Sequence, residues 1–76
     1  MPKLPRITGR EAVDAFCRAG YTVDRVKGSH SILKRPGSNR LTIPVHAGKT
    51  VGAGLLLSQI AAAGLTTDQF IALLQG

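Results

Sequence analysis

His30 is the residue in this chain best suited to move a proton near neutral pH, because an imidazole with its ordinary pKa of about 6.5 has both protonation states accessible there. It lies in the stretch RVKGSHSILKRPG, and Arg25, Lys27, Lys34, Arg35 and Arg40 crowd the sequence around it. A proton-transfer group among cations fits a polyanionic substrate. RNA is such a substrate: its own 2′-hydroxyl attacks the adjacent phosphate once a base takes the proton and cations stabilise the charge on phosphorus. DNA lacks that hydroxyl and would resist the route. Lys27, Lys34, Arg35 and Arg40 are the candidates to hold the phosphate, with Lys49 as a further one, and Ser29 would bond either a phosphate or the turn it stands in. His46, a loop residue after a strand, would complete an acid and base pair if it lay near His30. A lone histidine on a strand is more often a plain surface residue than a catalyst, and residue types alone leave both readings open.

Other chemistries have less to build on. The carboxylates Glu11, Asp14, Asp24 and Asp68 are scattered and form no D-x-D or H-x-x-E cluster for a divalent ion, so neither a metal nor another cofactor is expected. No nucleophile elbow supports a serine hydrolase. Cys17 is the only cysteine, which rules out an internal disulfide or a cysteine-based zinc site, and it is expected buried and inert on the apolar side of a helix.

Ten Lys and Arg against four Asp and Glu give a net charge of +6, a balance that favours nucleic acid or an acidic protein as partner. All ten cations lie between Lys3 and Lys49, while residues 50 to 76 hold only Asp68. The C-terminal third therefore cannot form a phosphate-binding surface by itself. A chain of 76 residues reads as one domain over 1–76, and one this short buries only about 60% of the surface of its unfolded form. The apolar segment from Val51 to Leu65 contains Gly52, Gly54, Ser58 and Gln59 and falls short of the roughly 20 residues that cross a bilayer, so it reads as a core helix and no membrane partner is expected. Met1 to Arg6 has two prolines and no apolar run behind it, which points to a cytoplasmic protein without a secretory leader.

The elements that must position these residues follow from local signals. Thr8 and Glu11 form a capping box that opens a helix over Gly9 to Ala19, with Ala12, Val13, Phe16 and Cys17 at one-face spacing and Gly20 as its C-terminal cap. From Tyr21 the period becomes two, with Tyr21 and Val23 on one side, and Lys27-Gly28 is a turn. Ser29 to Arg35 and Arg40 to Val45 are further strands, joined through the turn residues Pro36-Gly37-Ser38-Asn39. Pro44 limits the third strand to an edge or an end. Leu56, Ile60 and Ala63 mark a core-facing helix ended by Gly64, and Thr66 with Gln69 opens a short last one. The expected fold is α+β: an α-β-β-β-α domain with a three-stranded antiparallel sheet, helices on one face, and a short C-terminal helix. His30 and Lys34 are expected on the open face. Leu55, Leu57 and Ala61 cannot all reach a small core, so an apolar strip stays outside, of the kind that marks protein contacts.

The segments MPKLPRITGREAVDAFCRAGY, KGSH at Lys27 to His30, IPVHAGK from Ile43 to Lys49, and the closing AGLT with its short helix together resemble the HicA family of small bacterial mRNA interferase toxins, over nearly the whole chain. That resemblance implies a fold similar to a double-stranded-RNA-binding domain and a catalytic histidine at the position of His30. It also implies metal-independent cleavage of mRNA and neutralisation by a cognate HicB-like antitoxin, with a higher-order toxin–antitoxin oligomer as one form of that complex. Many relatives carry basic residues where this chain has Leu57 and Ala61, so its second helix is not expected to contact RNA as theirs does. A non-catalytic RNA-binding module of the same fold is the alternative.

Overall fold

The computed structural model describes residues 4–76; Lys3 and the opening residues of the N-terminal segment that carries the resemblance lie outside the described residues. The order is α1 (Gly9–Arg18), β1 (Thr22–Lys27), β2 (His30–Lys34), β3 (Leu41–Pro44), α2 (Ala53–Ala62) and α3 (Thr67–Leu74), the α+β arrangement expected from the sequence. Both capping boxes form. The Thr8 hydroxyl accepts from the Glu11 amide at 3.2 Å while the Glu11 carboxylate accepts from the Thr8 amide at 3.0 Å, and Thr66 and Gln69 repeat the exchange at 3.1 and 2.8 Å. These bonds satisfy amides that the first turn of a helix otherwise leaves free.

The strands form an antiparallel meander in the order β1-β2-β3. Lys27 pairs with His30 across a two-residue turn in which Gly28 has φ 59° and Ser29 keeps a negative φ, as a type II′ hairpin with glycine at its first central position requires. Residues directly opposite one another share a face of the sheet, so the buried Ser31, Leu33, Leu41 and Ile43 define the side covered by helices. Phe16 and Phe70 meet in the core with ring centroids 4.9 Å apart, joining α1 to α3, and Tyr21 closes on Phe16 edge to face.

Two details of α1 and β1 differ from expectation. The buried stripe of α1 is Ala12, Ala15 and Phe16, so Val13 is half-buried and Cys17 is exposed rather than buried. The stripe is turned because Phe16 must reach Phe70 of α3, which leaves Cys17 on the flank above β1. In β1 the alternation breaks at a bulge between Val23 and Arg25. Tyr21 is buried, yet Val23, opposite Leu33 on the helix side, remains 46% exposed because β1 is the outermost strand and α1 does not reach over it. The bulge also brings Val26, opposite Ser31, to that same side.

At the other edge, Val45 donates its amide to the Ser29 carbonyl at 2.6 Å, so odd-numbered residues of this segment turn their amides toward β2. The even-numbered ones point outward. There the Thr42 amide donates to Gln59 Oε1 of α2 at 3.1 Å and Pro44 has no amide to offer. Pro44 therefore costs the ladder nothing. Leu56, Ile60 and Ala63 face the core as expected, and Leu55, Leu57 and Ala61 do stay outside, Leu57 at 47% exposure, on a helix without a charged side chain. No described helix is long and apolar enough to cross a membrane.

Candidate active site and nucleic-acid interface

His30 is exposed at the first position of β2, with Lys27 directly opposite on β1 and Pro44 directly opposite on β3. The neighbouring Ser31 and Leu33 are buried against the helices, so His30, Ile32 and Lys34 occupy the open face, where His30 and Lys34 were expected. Arg25, opposite Ile32, shares it. Four side chains of the expected set or its neighbourhood are thus assembled by strand register alone, with two-residue periodicity along β2 and direct pairing across to β1.

Asp24, the extra residue of the bulge, puts a carboxylate among them. It bonds the Lys34 ammonium at 3.2 Å and lies 3.6 Å from the Arg25 guanidinium. The hydrogen bond from Lys34 holds the Asp24 carboxyl below the usual carboxylate range. Partial desolvation opposes this, and the charges of Lys34, Arg25 and Arg40 add to it. Arg40 is exposed just before β3 and adds the weakest of these charges. Asp24 neutralises part of a face that is otherwise cationic.

Arg35 is engaged elsewhere. Its guanidinium donates to the Ala19 carbonyl at 2.8 Å, the Ala63 carbonyl at 2.9 Å and the Ser38 hydroxyl at 2.9 Å, and its carbon stands 4.5 Å over the centre of the Tyr21 ring. Ala19 and Ala63 cap the C-termini of α1 and α2, where carbonyls lack helical partners and the helix dipole is negative. One guanidinium satisfies both. Ser29 faces the helix side and lines, with Val13, Cys17, Val23, Val26 and Val45, an open groove of ≈ 450 Å³ beside α1. Although Cys17 is exposed, the partial desolvation of its thiol beside the groove, with the Asp14 charge adding, pushes its pKa up, away from the reactive thiolate. Lys49 is exposed in the turn that begins at His46, where the Lys49 amide donates to the His46 carbonyl at 3.0 Å. Among the described residues no three His, Cys, Asp or Glu side chains gather.

The fold and the site define a small α+β domain with helices on one face of its sheet and an exposed histidine among cations on the other. Residues 9–65 match the family model described as HicA toxin of bacterial toxin-antitoxin, and the chain belongs to that family of toxins. No curated protein matches it.

Proposed function

We propose that this single domain, residues 1–76, is an mRNA-cleaving endoribonuclease that works without a metal and uses His30 as its proton-transfer group. The observation that carries the reading is the placement of an exposed imidazole on the open sheet face, directly opposite Lys27 and in company with Arg25 and Lys34. The 2′-hydroxyl of a bound RNA gives its proton to His30 and attacks the adjacent phosphorus, and the cations offset the charge that builds on the phosphoryl oxygens. The bond to the 5′ oxygen breaks. The products are a 2′,3′-cyclic phosphate and a 5′-hydroxyl end. Lys27, Lys34 and Arg40 hold the RNA, joined by Arg25; Lys49 contributes from the turn, while Arg35 and Ser29 serve the fold and the turn.

The family places such a toxin beside an antitoxin, and we take its partner to be a HicB-like protein in the cytoplasm whose acidic surface complements the +6 charge. The test is digestion of a defined transcript with mapped ends, with EDTA present. Wild type should leave cyclic phosphate termini and spare a transcript carrying 2′-deoxyribose at the mapped site. His30→Ala should lose about 10²- to 10⁴-fold in rate. Full cleavage by that variant would replace the reading with a non-catalytic RNA-binding module and a contaminating nuclease.

A further inference from the structure

In-line displacement at phosphorus puts the attacking and leaving oxygens on opposite sides, so an imidazole that takes the proton of the 2′-hydroxyl cannot also protonate the 5′ oxygen as it departs. A second proton-transfer group is needed for full rate. The described residues include one other imidazole, His46.

The register places it. His30 stands opposite Pro44, and the bond from the Val45 amide to the Ser29 carbonyl continues the pairing one residue beyond the end of β3. Side chains along this segment alternate: Leu41 and Ile43 are buried, Thr42 is exposed, Val45 packs against the core, and His46 is exposed. Carried one residue past the Val45–Ser29 bond, the same alternation sets His46 two residues beyond Pro44 on the open face, diagonal to His30. Diagonal neighbours on one face of an antiparallel pair stand about 7–8 Å apart at the backbone, within reach of aromatic side chains. Two rings that far apart can flank a single phosphodiester.

The backbone beneath His46 is held at both ends. Gly9 of α1 lies against the Pro44 carbonyl and the Val45 Cα so closely that a Cβ has no room. Beyond the turn, Thr50 bridges to Thr8 and the Val51 amide donates to the Ile7 carbonyl at 2.8 Å. A short turn fixed on either side carries both His46 and Lys49.

Resting on the ribonuclease reading above, we infer that His46 is a second catalytic residue, the general acid for the leaving group. His30 accepts the 2′-hydroxyl proton as the 2′-oxygen–phosphorus bond forms. His46 gives its proton to the 5′ oxygen as the phosphorus–oxygen bond breaks. The two rings finish with exchanged protonation states, and water restores them.

The experiment compares wild type, His30→Ala, His46→Ala and His46→Gln on two substrates: the mapped transcript, and the same transcript with sulfur in place of the 5′ oxygen at the mapped site. A thiolate leaves without being protonated. Wild type should cleave both. His46→Ala and His46→Gln should lose about 10²-fold or more on the oxygen substrate and come within a few-fold of wild type on the sulfur substrate, while His30→Ala stays slow on both. Thermal melting of each variant controls for folding. Cleavage of the oxygen substrate by both His46 variants at the wild-type rate overturns the inference, as does a loss that persists undiminished on the sulfur substrate. Wild type inert on both substrates would instead overturn the ribonuclease reading on which it stands.

Discussion

The Arg35 guanidinium lies 4.5 Å above the centre of the Tyr21 ring and, from that position, donates to carbonyls at the ends of two helices. Replacing it with alanine removes a stacked cation and leaves the Ala19 and Ala63 carbonyls without their partner. Arg35→Ala should cost about 2–3 kcal/mol in denaturant unfolding. Arg35→Lys should recover little of this, because an ammonium cannot reach both carbonyls from over the ring.

Arg40 and Arg35 should therefore behave oppositely toward RNA. Each lost phosphate contact on a single strand lowers the slope of log affinity against log salt by about 0.7. Arg40→Ala should show that reduction with an unchanged melting temperature. Arg35→Ala, measured where it is fully folded, should keep the wild-type slope.

This pair shows what could be read from the chain and what could not. Capping boxes and the II′ turn depend on residues within a few positions of each other, so Thr8, Glu11 and Gly28 were legible. Lys34 and Arg35 are adjacent and equally charged, and the sequence gives both as phosphate ligands; the fold sends one to the open face and the other to helix ends that are 16 and 28 residues away in sequence. The local signals for that were slight: the reversal of face from one residue to the next, and Gly20, whose missing Cβ leaves Arg35 room to pass, with a Cβ there falling 3.3 Å from its Cδ. The bulge at Asp24 had no signal in residue type, and the grouping of Tyr21 with Val23 survived only as a shared side and not as shared burial because α1 does not reach over the outermost strand.

Two glycine-to-alanine changes should have opposite signs. At Gly9 a Cβ would stand 2.9 Å from the Val45 Cα, and backbone cannot yield as a side chain would, so Gly9→Ala should destabilise by about 1–3 kcal/mol or more. At Gly54, inside α2, a Cβ meets nothing within 4 Å. Gly54→Ala should stabilise by about 0.5 kcal/mol through the unfolded chain's reduced freedom. Thermal and denaturant unfolding of both variants checks the contrast.

The lowered pKa of Asp24 makes stability depend on pH with a defined sign. A carboxyl held down in the folded state favours folding above its unfolded pKa of about 3.9, and that contribution fades as pH falls through the folded value beneath it. Denaturant midpoints taken from neutral pH down to about pH 3 should therefore drop less steeply for Asp24→Asn than for wild type. The same variant releases Lys34 and should bind RNA more tightly. A midpoint curve that superimposes on wild type would show that the pair contributes nothing to the acid limb.

The helices that close the chain, α2 and α3, hold one charged side chain between them, Asp68, whereas the sheet presents Arg25, Lys27 and Lys34 on its far side. Positive charge on the open face therefore has no counterpart on the outer surface of α2 and α3. A polyanion drifting past would exert a torque that swings the strands toward it before the two touch, so added electrolyte should slow capture much more than it hastens release.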